Sequence, residues 1–195
     1  LEWRTQGSLK QQPAKETVMS RIAIPSRQSV PEASKPILDA VEKQLGVVPN
    51  MFRVFALSPA ALAGFTSLNG ALGKALDLKT RERIALAVAQ VNECDYCLSA
   101  HTYLALNLAK ITPDDAAQAR QGHSPETHAD AAVQFARIVT QKRGQVSDAD
   151  FAAVKGAGFS DAQVVEIVTV VAENVLTNFL NKVVQTDIDF PVVTA

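Results

Sequence analysis

The sequence predicts an all-α protein, and three observations carry that expectation. Alanine recurs along the chain while Tyr and Trp together number three, a bias toward packed helices and away from sandwiches or barrels. Ser or Thr stands at the start of most apolar-periodic stretches, commonly followed by Pro or an acid. No two alternating apolar runs are joined by tight-turn residues, so no hairpin is expected. Hydrophobic residues make up 47% and charged residues 20% of 195. This is a globular composition, sized for one domain or two closely packed halves.

The elements follow in order. Ser34 precedes Lys35-Pro36, and Ile37, Leu38, Val41 and Leu45 form a stripe closed by Gly46. Proline is tolerated in a first turn, where its missing donor would be unpaired anyway. Ser58-Pro59 opens a helix reaching about Gly73, and Thr80 is a cap for Ile84, Leu86, Ala87, Val88 and Val91. Thr112-Pro113-Asp114-Asp115 sets acids at the positive end of a helix dipole. Ser124-Pro125 opens a helix through Val133, Phe135 and Val139, and Ser147 starts a short one ending at Gly156. Ser160 to Gln163 has capping-box spacing. The segment after it, through Phe179, is apolar nearly all round, which marks a buried helix despite its β-branched content. The count is seven or eight helices. A faint echo between residues 78–89 and 159–170 suggests two related halves.

Several function classes are excluded at this level. A net charge of −1 gives no basic surface for nucleic acid. Two cysteines cannot staple a secreted scaffold. The most apolar stretch, 164–180, is interrupted by Glu166, Glu173, Asn174 and Asn178, so no membrane span is expected. Residues 1–18 have no apolar signal region. They read as a polar tail or tag remnant ahead of a single domain over 19–195, with Met19 a possible native start. A cytoplasmic protein is the expectation.

The chemistry concentrates in Asn92-Glu93-Cys94-Asp95-Tyr96-Cys97-Leu98-Ser99-Ala100-His101. Both cysteines lie three apart with a histidine four beyond. On a helix, Cys94, Cys97 and His101 share one face. If the helix begins near Cys94, its unpaired N–H groups and dipole favour thiolate over thiol. A nearby imidazole can relay the proton. The arrangement suits a dithiol that attacks an oxidant and closes to a disulfide. Three alternatives stand beside it: two inert core cysteines, a zinc site with only three ligands, and a static disulfide. No motif for a metal, haem or flavin cofactor is present.

Residues 81–101, RERIALAVAQVNECDYCLSAH, resemble the core motif of the alkyl hydroperoxidase D (AhpD) family, within the carboxymuconolactone decarboxylase superfamily. The family pattern is Glu, eleven residues, then C-x-x-C-x-x-x-H, and Glu82, Cys94, Cys97 and His101 match it. The likeness runs more loosely from Val48-Pro49-Asn50 to the C-terminal TNFLNKVVQTDIDFP and is closest to the peroxidase-related branch. The resemblance implies an all-α bundle and a thiol peroxidase with an antioxidant role. Cys97 would be peroxidatic, Cys94 resolving, and His101 with Glu82 the proton relay. It also implies trimers or hexamers, a small-molecule peroxide substrate and a thiol reductant of unknown identity. The best-studied branch has a second histidine before the peroxidatic cysteine, where this chain has Tyr96, so that branch's acyl-adapter reductant does not carry over.

Other residues receive plainer readings. Glu93 and Asp95 solvate a helix start, or alternatively raise the Cys94 pKa. Asn174, Asn178 and Asn181 read as a hydrogen-bonded interface stripe, with a polar wall near the site as the alternative. Arg81 and Arg83 read as surface or subunit contacts. Exposed apolar area on the 161–185 helix and Met51–Phe55 points to a homo-oligomer. Glu82 and His101, 19 residues apart, can meet only if the chain reverses at Asn92-Glu93. On one straight helix they would stand about 28 Å apart. The competing functions are a decarboxylase or lactone-processing enzyme and a non-enzymatic redox switch.

Overall fold

A computed structural model describes residues 20–195; the polar segment 1–18 and Met19 lie outside the described residues. Among them the chain is entirely helical, with nine α-helices, one 3-10 turn and no strand. The helices are α1 (Lys35–Leu45), α2 (Asn50–Phe55), α3 (Pro59–Leu72), α4 (Leu78–Val91) and α5 (Asp95–Asn107). They continue as α6 (Pro113–Arg120), α7 (Thr127–Gln141), α8 (Asp148–Gly156) and α9 (Asp161–Val184). One more helix than expected forms because Pro49 breaks the chain ahead of a single short turn, α2.

Most starts follow the cap logic. Ser58, Thr112, Ser147 and Ser160 each accept an N–H from the third residue of their helix. At Ser160 the Gln163 side chain reciprocates, closing a capping box that starts the long β-branched α9 as a helix. Three starts differ. Asp77, not Thr80, caps α4: its carboxylate accepts from both Thr80 N–H (3.0 Å) and Thr80 Oγ1 (2.6 Å). Ser34 sits at the cap of α1, but its hydroxyl donates to Ala56 O at 2.8 Å. Helix α7 starts two residues later than Ser124-Pro125 suggested, with Glu126 at the cap and no side-chain bond there. Gly46 ends α1 in the left-handed conformation (φ 77°) that glycine adopts without a Cβ penalty.

The architecture centres on α4, which packs against α5, α6, α7 and α9. Every residue from Glu82 to Ala89 is buried, and Ile84, Leu86, Ala87, Val88 and Ala89 supply its apolar faces. One core joins α4 to α7 and α9 through Val133, Phe135, Ile167 and Val170. A second joins α4 to α5 and α6 and contains Cys94, Tyr96 and Cys97. A third lies among α1, α2 and α3. There Phe55 stacks on Phe65 with ring centroids 4.6 Å apart. Val54 and Phe55 are therefore covered by their own chain, and the Met51–Phe55 segment does not supply the free apolar surface expected of it.

Helix α9 has 24 residues, and an 18-residue stretch of it reaches a mean hydropathy of 1.3, long and apolar enough by length and composition to cross a membrane. In the fold one side of it instead packs against α3, α4, α5, α7 and α8. It buries Glu173, Asn174, Asn178 and Asn181 inside the bundle. The opposite side leaves Val165, Val168, Leu176, Phe179 and Val183 exposed.

Arg83 overturns its reading as a surface or subunit contact, because it is only 1% exposed. Its guanidinium donates to both oxygens of Asp115 on α6 (3.0 and 2.6 Å) and to Glu126 Oε1 at 2.8 Å. A planar fork meeting a carboxylate with two bonds is the geometry that makes burial of this charge tolerable. The pair ties α4 to α6 and to the cap of α7. Arg83→Met should therefore cost about 3–5 kcal/mol in urea unfolding, because Asp115 is left buried and unpaired. Glu126→Gln should cost under about 1 kcal/mol, because the Glu126 side chain is itself more than half exposed.

Candidate active site

The site is built on the link between α4 and α5. At the end of α4 the Cys94 N–H donates to Ala89 O (3.0 Å) and the Glu93 N–H to Gln90 O (3.1 Å). This is a Schellman closure, and it needs one residue in the left-handed region. Glu93 takes that place with φ 51°. Cys94 then caps α5, its Sγ accepting the Cys97 N–H at 3.3 Å. One residue thus ends one helix and begins the next, and the two helices run antiparallel.

The reversal brings the four motif residues together. The Glu82 carboxylate lies 2.9 Å from His101 Nδ1, across the α4–α5 interface. Cys94 and Cys97 are both free and buried, with Cys97 only 2% exposed. The His101 side chain keeps 23% of its surface open and is the member of the group facing solvent. Among the described residues no three His, Cys, Asp or Glu side chains converge as a metal-binding group.

Electrostatics separates the two thiols. Cys97 lies below the ordinary thiol range, chiefly because Cys94 hydrogen-bonds to it. Burial opposes this, while the Asn181 amide, His101 and the Asn178 amide reinforce it. Cys94 is pushed up by the same contact with Cys97 and by burial. One sulfur therefore carries the charge for the pair. For His101, burial disfavours the imidazolium, but the Glu82 carboxylate outweighs it and the pKa rises. Asp95 accepts the Ala195 N–H at 2.9 Å, and Glu93 is exposed in the turn.

Helix α9 forms the third wall, so the reading of its asparagines as an interface stripe is overturned in favour of a polar wall. Asn181 Nδ2 donates to Cys97 Sγ at 3.4 Å, and Asn92 Nδ2 donates to Asn178 Oδ1 at 2.9 Å. Lys182 Nζ donates to Asn92 O at 2.8 Å, gripping the reversal from the same helix. Buried Glu173, held by Asn69 Nδ2 at 2.9 Å, adds a second carboxylate on the His101 side. Burial raises its pKa against the opposing pull of Asn69, His101 and Arg81. The helical spacing of these α9 residues was visible in the sequence; the face they present was not.

Tyr96 has a structural task. Its hydroxyl accepts the Met51 N–H (3.1 Å) and donates to Asp189 Oδ1 (2.9 Å), with Phe190 edge-on to its ring. Asp189 Oδ2 also accepts the Asn50 N–H at 2.8 Å. The C-terminal residues thus strap α5 to α2, and Val193 exchanges hydrogen bonds with the Ser99 hydroxyl. Sequence reasoning missed Asp189, since an aspartate in a terminal segment carries no pattern of its own.

The thiol asymmetry has a direct readout. Iodoacetamide mapped by mass spectrometry should modify Cys97 before Cys94. The pH midpoint should fall below the ~8.5 of an unperturbed thiol, because the depressed Cys97 is ionised above its own pKa and protonated below it. Modification of Cys94 first would reverse the assignment.

Relatives place this arrangement. The pattern of the Carboxymuconolactone decarboxylase family matches residues 59–142, from the start of α3 past the end of α7. No curated protein sequence matches the chain. Among solved structures, an uncharacterized peroxidase-related protein from Ralstonia eutropha JMP134 with an alkylhydroperoxidase AhpD core is 26% identical. It superposes with a TM-score of 0.78, covering 87% of this chain and 92% of that one. A peroxidase-related protein from Silicibacter sp. TM1040 is 21% identical with a TM-score of 0.76, over 90% and 95% of the two chains. The debrominase Bmp8, in complex with 2,3,4-tribromopyrrole, shares the fold at 18% identity and a TM-score of 0.72, over 90% and 93%. The matched segment holds the whole of α4 and α5, and the shared fold extends over most of the remaining chain: residues 59–142 are similar to the Carboxymuconolactone decarboxylase family, and the chain has an AhpD-like helical fold.

Proposed function

We propose that the protein is a thiol peroxidase that reduces hydrogen peroxide or organic hydroperoxides, with an antioxidant role in the cytoplasm. The observation that carries this reading is the Glu82–His101 contact on the helix pair that holds a charge-bearing Cys97 against Cys94. A hydroperoxide needs a thiolate to attack its proximal oxygen and a proton for the departing one. Cys97 supplies the thiolate, and His101, kept basic by Glu82, supplies the proton.

The electron and atom balance closes on two cysteines. The Cys97 thiolate forms an S–O bond as the O–O bond breaks. The leaving alkoxide takes a proton from the His101 imidazolium and departs as alcohol, or as water from hydrogen peroxide. Cys97 is then a sulfenic acid. The Cys94 thiol attacks its sulfur, water leaves and a Cys94–Cys97 disulfide remains. An external dithiol restores both thiols by exchange. Buried Cys94 keeps its proton until that attack.

Turnover separates this from the alternatives. Wild type with dithiothreitol should consume peroxide through many cycles. Cys97→Ser should abolish consumption, and Cys94→Ser should stall at the sulfenic acid, trappable with dimedone. Glu82→Gln should slow the reaction by about 10²–10³-fold with the fold intact. One stoichiometric oxidation without turnover would identify a redox switch instead. Full activity in Cys97→Ser would point to a decarboxylase or lactone chemistry that needs no thiol.

The same reading includes a homo-oligomer, which the resemblance makes a trimer or hexamer. Its support is the outward stripe of α9, where Phe179 is 56% and Val183 65% exposed at spacings that keep one face. Wild type should scatter light as an oligomer at micromolar concentration, and Phe179→Glu should dissociate it without unfolding. A monomeric wild type would refute the assignment.

A further inference from the structure

Two buried carboxamides beside Cys97 remain unexplained by the Glu–His–Cys arrangement. Asn178 is fully buried and Asn181 nearly so. Asn178 Nδ2 and Asn181 Oδ1 each lack a hydrogen-bond partner among the described residues. An unpaired buried polar atom is costly, so each calls for a reason. The orientations supply one. Asn92, in the α4–α5 reversal, occupies Asn178 Oδ1, which commits the Asn178 Nδ2 group to the opposite side of the amide. Asn181 turns its own Nδ2 to the Cys97 sulfur and leaves Oδ1 without a donor. Both amides favour the ionised form of Cys97.

We infer that Asn178 and Asn181 are positioning residues for Cys97: Asn181 donates to the sulfur directly, and the Nδ2 that Asn178 leaves without a partner, its Oδ1 locked by Asn92, is the second donor for the ionised sulfur, so that both favour the thiolate and make the Cys94–Cys97 disulfide easier to reduce. The inference rests on the dithiol reading and deepens it. An amide N–H bonded to a thiolate is a charge-assisted bond. A disulfide sulfur carries no charge and accepts it poorly. The donors therefore stabilise the reduced state selectively, which is how a dithiol couple becomes more oxidising. The other groups facing the thiolate are Cys94 and His101 on its own helix. Glu82 on α4 and Glu173 on α9 act on it through His101. Lys182 on α9 acts on Cys94.

Two variants of the full chain test this. Asn178→Asp keeps an acceptor for Asn92 and replaces the donor by an oxygen. Asn181→Leu keeps the reach of the side chain and removes both polar atoms. The Cys97 ionisation is followed by ultraviolet thiolate absorbance. The redox couple is equilibrated with glutathione at neutral pH: one Cys97 thiolate, one Cys94 thiol and one glutathione disulfide give the protein disulfide, one glutathione and one glutathione thiolate. Each variant should raise the Cys97 midpoint by about one unit. Each should also shift the equilibrium about tenfold toward the protein disulfide, which is about 30 mV for a two-electron couple. Variants that fold by circular dichroism and keep the wild-type midpoint and equilibrium would overturn the inference, as would a lower melting temperature with both unchanged. If one variant fails to fold, the other decides. A wild type that never forms a reversible disulfide would overturn the dithiol reading itself, and the thiolate titration would still judge the asparagines.

Discussion

The reversal at Asn92-Glu93-Cys94 is the constraint on which the site depends. Two hydrogen bonds close α4, and the same Cys94 that donates one of them caps α5 with its sulfur. With no residue to spare, the direction of α5 relative to α4 is set by the turn. Glu82 and His101 then come level and meet. A longer link would let α5 tilt and separate them. The cost is a non-glycine residue in the left-handed region, about 1–2 kcal/mol, offset by the carbonyls that the closure satisfies.

Burial of polar groups around this turn is organised as a chain of dependencies. The α9 wall approaches the thiol through Asn181 and the turn through Asn178 and Lys182. The same helix buries Val164, Ile167, Val170 and Val171 in the main core. Hydrophobic packing therefore sets how close the amides come to the sulfur. On the other side, Tyr96 fastens the cysteine helix to the C-terminal strap through Asp189. The position between the cysteines, a histidine in the best-studied branch, here serves attachment: a phenol whose ionisation burial disfavours bridges a backbone N–H and a carboxylate. Arg83 secures the far side of α4 to α6.

Charge is distributed so that Cys97 is the thiol of the pair that ionises more readily. Coupling within the pair raises Cys94 and lowers Cys97. Glu82 keeps the imidazole basic enough to hold a proton beside that thiolate. An imidazolium and a thiolate can thus coexist in one cluster because their environments push their ionisations in complementary directions. His101, partly exposed, is the group through which the cluster meets solvent.

Cap residues, apolar periodicity and cysteine spacing are local, and the sequence by itself determined what depends on them: an all-helical chain, a helix opening at Cys94, and one face shared by Cys94, Cys97 and His101. The length of the segment together with the capping box at Ser160 distinguished α9 from a β-branched strand. Glu82 entered only through the spacing that it shares with the family. Tertiary structure decided the rest. A helix with polar residues three and four apart does not declare whether they face a partner or a core, so the Asn178 and Asn181 wall became visible only when α9 packed on α4 and α5. Arg83 looked like a surface charge because its partners, Asp115 and Glu126, lie 32 and 43 residues away. Asp189 acquired its role through a contact 93 residues distant in the chain. Such pairings have no periodicity to reveal them; they exist because packing the apolar faces leaves each buried charge or amide only the partners that the fold brings within reach.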